Sequence, residues 1–159
     1  MRTLCWSPDG THLASVGDDG FMQIWDRDEQ IDLGIPALGP LHALAWSPNG
    51  PELLLGGIKQ ARLSLYEALG GHKADIALWR SSGPTGVHSV AYAPGGRYAV
   101  AGCTDGTVQV VDVVAREHVH SYHGHTGPVR SVAWSPDGKH ILSGGEDSHA
   151  FVWAVPATM

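Results

Sequence analysis

The chain has 159 residues, of which Gly (21) and Pro (10) make up about a fifth, while 43% are apolar and 6 are Trp. This much aliphatic and aromatic surface offsets chain entropy, which excludes disorder, and the Gly/Pro share points to many short strands joined by tight turns. With 16 acidic against 10 basic residues the net charge is −6, which argues against a general nucleic-acid or acidic-membrane binder. No apolar run approaches the roughly 18–20 residues that cross a bilayer. A Pro8-Asp9-Gly10 turn interrupts any signal-like stretch at the start. Cys5 and Cys103 lack metal-type spacing and cannot form a disulfide framework, so packed, reduced thiols in a cytoplasmic protein are expected.

The first predicted strand runs into Trp6-Ser7-Pro8-Asp9-Gly10. In such a turn Pro fixes φ at the second position, Asp or Asn suits the third, and Gly tolerates the exit conformation. Residues 11–15, the turn Gly17-Asp18-Asp19-Gly20 and residues 21–25 follow. Runs of five or six residues between turn signals are strands, and Asp-Gly between two of them marks a hairpin. The turn returns as Trp46-Ser47-Pro48-Asn49-Gly50, and residues 67–86 then form a longer connection containing Gly70-Gly71-His72. We read that connection as an irregular outer strand with a loop insertion. The third occurrence is Tyr92-Ala93-Pro94-Gly95-Gly96, followed by strand 97–101, the turn Thr104-Asp105-Gly106 and strand 107–111. The fourth sets strand 129–134 before Trp134-Ser135-Pro136-Asp137-Gly138, then strand 139–143, the turn Gly145-Glu146-Asp147-Ser148 and strand 149–153. The unit recurs every 40 to 46 residues.

Four such motifs in phase, with Gly124-His125 opening the last and Trp25-Asp26 closing the first, resemble the WD-repeat β-propeller family over nearly the whole chain. The match is strong in repeats one and four, clear in three and degraded in two. The resemblance implies an all-β propeller of about four blades, each a four-stranded antiparallel sheet, in one array over 1–159. Blades are expected near 1–40, 41–86, 87–128 and 129–159, the last without its outer strand. Innermost strands would lie at 2–6, 41–46, 87–92 and 129–134, and outer strands near 29–35, 74–79 and 116–122. Rings of this family usually have six to eight blades, so this ring is expected to be incomplete or completed by another chain. It would be part of a longer propeller, pair with a second copy as a homodimer, or dock on a different subunit.

Members of the family pin a blade with a hydrogen-bonded His, Ser or Thr, Asp and Trp. The resemblance assigns these roles to His125, Ser143, Asp147 and Trp153 in repeat four, to Ser15, Asp19 and Trp25 in repeat one, and to Asp105 alone in repeat three. Repeat two would hold Leu55, Lys59 and Leu65 at those positions, so its network is expected to be absent. His125, Ser143 and Asp147 could pass for a hydrolase triad, but their place in the repeat makes them structural. His118 and His120 would project from one face of a strand, as two ligands of a metal site would, yet no third ligand is placed beside them. A solvated edge strand is the preferred reading.

One column of the repeat carries polar residues of a different kind. Four positions before each turn aromatic stand Arg2, His42, His88 and Arg130. The family resemblance places this column at the rim of the central channel, where such propellers bind partners. Asp18 and Glu146 stand one position before the Asp of the second turn, against Ile58 and Thr104 in the other repeats. These six residues are the candidate partner-binding face. No cofactor, catalytic residue, metal, nucleic acid or membrane is expected. The expected function is a non-catalytic protein–protein interaction scaffold in a larger complex. The alternatives are a structural segment of a longer propeller protein and, less favoured, a propeller enzyme or His-metal site.

Overall fold

The computed structural model describes residues 1–28, 35–36, 39–59, 61–68, 70–78 and 85–159. The short alternating runs form strands arranged as four antiparallel sheets. The first holds β1 (Thr3–Trp6), β2 (His12–Val16), β3 (Phe21–Asp26) and β4 (Ile35–Pro36) in that order, and the second β5 (Leu41–Trp46), β6 (Glu52–Gly57), β7 (Arg62–Glu67) and β8 (Gly71–Ala77). The third holds β9 (Val87–Tyr92), β10 (Tyr98–Cys103), β11 (Thr107–Asp112) and β12 (Glu117–His123). The fourth holds β13 (Val129–Trp134), β14 (His140–Gly145) and β15 (Ala150–Ala154). There is no helix among the described residues.

The inner strands lie where the repeat places them. Of the expected outer strand 29–35, only residue 35 is within the described residues, as the start of β4. The outer strand of the second sheet begins at Gly71 rather than 74. Gly70 N donates to Glu67 O, and Gly71 adopts the left-handed φ of +89°, so the chain reverses directly after β7. Its irregularity is a register shift opposite Leu65 and Tyr66.

The Pro turns close as their chemistry requires. Gly10 N donates to Ser7 O and Gly138 N to Ser135 O, both at 2.9 Å, with φ of +69° and +68°. Asp9 and Asp137 accept from the Ser hydroxyl two residues back and from the backbone N–H two residues on. Asn49 instead reaches across to the next sheet, its Nδ2 donating to Gly95 O at 2.6 Å.

The sheets stack through three apolar seams, with inner strands packed in the order β1, β5, β9, β13. Ala14, Met22 and Ile24 meet Leu44 and Leu53 in the first seam. Leu54, Leu63 and Ile76 meet Val87, Val90 and Val111 in the second. Val100, Val108 and Val110 meet Val129, Val132 and Ile141 in the third. Glycines let the sheets approach: a Cβ on Gly56 would stand 2.6 Å from Val87 Cγ1, and one on Gly102 2.8 Å from Val129 Cγ1. Among the described residues the sheets form no closed ring, and the outward faces of the first and fourth sheets have no sheet packed on them. In one column Leu44, Val90 and Val132 are 7, 8 and 7% exposed, while Leu4 of the first sheet is 50% exposed. On the fourth sheet Leu142 and Val152 are 49 and 68% exposed, and a Cβ on Gly144 would meet nothing within 4 Å.

Candidate functional site

β-Bulges set three residues of the polar column apart from the regular register of their strands. In β5, β9 and β13 the register skips His42, His88 and Arg130, so two residues of the inner strand oppose one of its partner. A bulge re-aims the extra side chain relative to its strand neighbours. The six residues from four sheets then join into one ribbon. Arg2 Nε donates to Asp18 Oδ2 at 2.8 Å, and His42 Nε2 donates to Asp18 Oδ1 at 2.9 Å. The rings of His42 and His88 lie 5.9 Å apart between centroids. Arg130 Nη1 donates to His88 Nδ1 at 3.2 Å, while Arg130 Nε donates to Glu146 Oε1 at 2.7 Å and Nη2 also meets that oxygen.

The ribbon's electrostatics follow from these contacts. The hydrogen bond from Arg2, helped by His42, holds the Asp18 carboxyl below its ordinary range, and Asp18 raises Arg2 in return. Burial, then the charge of Arg130 and the nearby His42, holds the His88 imidazole below its usual value against a weaker pull from Glu146. Because a guanidinium only donates, His88 Nδ1 is the acceptor and its proton sits on Nε2.

The internal network of the fourth sheet is a different kind of site. His125 Nδ1 donates to both oxygens of Asp147 at 3.0 Å, His125 Nε2 meets Ser143 Oγ at 2.8 Å, and Trp153 Nε1 donates to the same Oγ at 2.8 Å. Burial penalises the Asp147 charge, yet bonds from His125 and from the N–H groups of Thr126 and His149 bring its pKa down to about 2. Order and distances resemble a charge-relay triad, but Ser143 is fully buried and its oxygen is already engaged by Trp153. No acyl group can reach it.

The other sheets keep parts of this network. Trp25 Nε1 donates to Ser15 Oγ at 3.4 Å, and Asp19 accepts from Phe21 N at 3.2 Å. Asp105 accepts from Thr107 N and Thr107 Oγ1, and Thr85 Oγ1 supplies a further donor at 3.2 Å. In the second sheet Leu53 pairs with Tyr66, as Ile141 pairs with Trp153, so Tyr66 and not Leu65 occupies the Trp column. Between its last paired residues, Gly56 and Leu63, the β6–β7 connection holds one residue more than its counterparts, which displaces the alignment.

The expectation that His118 and His120 share a face is corrected. Strand β12 carries a bulge, with His120 opposite Val110 and His118 opposite the next residue, Val111. Adjacent residues of β11 face opposite sides, so the two imidazoles do too. His118 bonds Ser121 Oγ at 2.8 Å, and His120 packs against Tyr122. Among the described residues no His, Cys, Asp and Glu cluster could hold a metal.

A cavity of about 450 Å³ was not foreseen from the sequence; Lys59, Arg62, Ser64, Tyr66, His72 and Asp75 help to line it. Asp75 accepts from Ser64 Oγ at 2.7 Å and from His72 Nε2 at 3.1 Å, and pairs with Arg62 Nη1 at 3.0 Å. Ser64 thus donates to the carboxylate and not to the imidazole, an arrangement that does not activate a nucleophile.

A family model described as "WD domain, G-beta repeat" matches residues 1–26, 66–112 and 116–154, more than half of the chain. The chain belongs to the WD-repeat family. The matched WD units do not coincide with the sheets: the second begins at the end of β7 and the third just before β12, and each takes in an outer strand and then three strands of the following sheet. The longest stretch left unmatched, 27–65, contains β5, β6 and most of β7. Among curated relatives, the WD repeat-containing protein VIP3 of Arabidopsis thaliana is 31% identical over 91% of this chain and 49% of its own length. The serine-threonine kinase receptor-associated protein of Gallus gallus is 28% identical over 96% of this chain and 42% of its own length. The F-box-like/WD repeat-containing protein TBL1X of Mus musculus is 27% identical, over 87% and 25%. The chain thus spans about half, or less, of the curated relatives it matches. No helix among the described residues is long and apolar enough to cross a membrane.

Proposed function

We propose that this WD-repeat array is a non-catalytic interaction scaffold, a cytoplasmic component of a larger complex, and that the ribbon Arg2, Asp18, His42, His88, Arg130, Glu146 is its partner-binding edge. The observation that carries this reading is the joining of six polar side chains from four sheets into one ribbon, with His42, His88 and Arg130 standing at bulges of their strands. Arg is enriched among binding hot spots, and a ribbon crossing every sheet offers a partner contacts that no single repeat could supply. The net charge of −6 favours proteins over nucleic acid as partners. Affinity purification from the native source with the wild-type chain, Arg130→Ala and Arg2→Ala tests it. The expected result is a recurrent set of co-purifying proteins that both variants lose while their unfolding temperatures stay near wild type. Capture that falls only in parallel with unfolding, or substrate turnover by the purified chain, counts against it.

A second reading concerns the blades themselves, which we take as 1–40, 41–86, 87–128 and 129–159. Exposed Leu142 and Val152, with open space at Gly144, occupy columns that are covered in the inner seams. We propose that further WD blades cover these faces, supplied by the rest of a longer propeller, by a second copy or by another subunit. The length of the relatives favours the first source. Light scattering separates the sources: a discrete dimer supports the second copy, and a stable monomer that does not self-associate argues against it.

A further inference from the structure

We infer that the centre of the rim ribbon, where His42, His88 and Arg130 follow one another with no carboxylate between them, seats an aspartate or glutamate side chain of a partner peptide and takes up a proton as it binds. This rests on the interaction-scaffold reading and adds the chemistry of the partner. Along the ribbon the groups run Arg2, Asp18, His42, His88, Arg130, Glu146, so each carboxylate serves one end and the middle has none. The charged and titratable groups that face His88 are Arg130 from β13, Glu146 from the β14–β15 turn and His42 from β5. Asp18 is reached through His42.

The donors of this centre are only partly used. His88 Nδ1 accepts from Arg130, which leaves His88 Nε2–H without a partner among the described residues. Arg130 gives Nε and Nη2 to Glu146 and Nη1 to His88, and each Nη keeps a second N–H uncommitted. The planar guanidinium edge suits a carboxylate. Charge selects the same ligand. Two arginines balance Asp18 and Glu146, so one monoanion is matched by one proton on His88. A phosphate dianion carries a second charge that this one proton leaves unmatched.

Proton uptake follows from the neighbours. Burial, Arg130 and His42 keep His88 neutral in the free chain, and a bound carboxylate reverses that balance. Affinity for a carboxylate therefore rises as pH falls from the raised titration of bound His88 toward that of free His88. The rise approaches tenfold per pH unit, the limit for one coupled proton. It ends when the ligand carboxyl is itself protonated, near about pH 4.

The test follows the imidazole nitrogens of the full chain by NMR during pH titration with blocked peptides acetyl-Gly-Glu-Gly-amide, its Gln counterpart and its phosphoserine counterpart. The Glu peptide is expected to raise the His88 midpoint and to bind more tightly at lower pH, while the Gln peptide leaves His88 unmoved. His88→Gln, which keeps an uncharged donor near the Nε2 position, should bind the Glu peptide with a flat pH profile. An unmoved His88 with the Glu peptide, an equal shift with Gln, or tighter binding of phosphoserine would each overturn the inference. Partner capture by Arg130→Ala separates the two proposals. Capture lost while the Glu peptide leaves His88 unmoved sinks only the carboxylate seat, and capture indifferent to Arg130 sinks the scaffold reading.

Discussion

The seam between the second and third sheets and the open face of the fourth are built from the same columns of the repeat, yet one is filled and the other bare. Leu54 and Leu142 hold the same place on their sheets, each in register with the inner-strand Ala before the turn aromatic. Leu54 is fully buried against the third sheet, and Leu142 is half exposed. Gly56 and Gly102 receive valines of the following sheet, whereas Gly144 faces open space. The difference teaches that burial in this array belongs to the neighbour. A sheet forms its own hydrogen bonds, but its apolar face contributes to stability only when the next sheet arrives.

The strongest way to break that comparison is to truncate the shared column. Leu54→Ala removes a fully buried side chain from a packed seam and should destabilise the chain by about 2–5 kcal/mol. Leu142→Ala should cost no more than about 0.5 kcal/mol in the isolated chain, because its side chain fills no closed space. Urea unfolding of the two variants measures both. Equal losses would mean that the open face is covered in solution.

The same contrast explains what the sequence made legible. Pro8-Asp9-Gly10 and Pro136-Asp137-Gly138 encode their turns locally, so strands between them could be placed, and equal phase aligned Arg2, His42, His88 and Arg130 in one column. Their connection into a ribbon was not legible, because it depends on bulges in β5, β9 and β13 that no residue type announces. Two errors have the same origin. The longer β6–β7 turn put Tyr66 where counting gave Leu65, and the bulge in β12 separated His118 from His120. Periodicity reads faces correctly only while the register holds. The Asp75 cavity was missed because its residues come from the degraded repeat and its outer strand, where no motif gathers them.

Overpacking probes the seam from the opposite direction. In Gly102→Val the added side chain starts 2.8 Å from Val129 Cγ1, so the third and fourth sheets must separate, at about 1–3 kcal/mol. Gly144→Val meets nothing and should leave the free chain as stable as before. Thermal unfolding distinguishes them. A Gly144→Val protein as unstable as Gly102→Val would show that the socket at Gly144 is occupied.

The fourth sheet holds together despite its bare face because its polar network is complete, and removing that network gives the most local effect. His125→Ala leaves Asp147 and Ser143 short of partners in a buried site and should cost about 1–3 kcal/mol. Hydrogen exchange should then accelerate in β13–β15 while β5–β7, which lack such a network, keep their protection. Acid should reproduce the loss in the wild-type chain. The Asp147 pKa is lowered to about 2 in the fold, so the unfolded chain binds the proton first. Its stabilisation is complete above the ordinary carboxylate value of about 4 and is lost as pH falls through about 2. In His125→Ala the main hydrogen-bond donor to Asp147 is gone, so this acid dependence should shrink together with the stability. An undiminished acid transition in that variant would place the acid-sensitive group elsewhere than the His125–Asp147 pair.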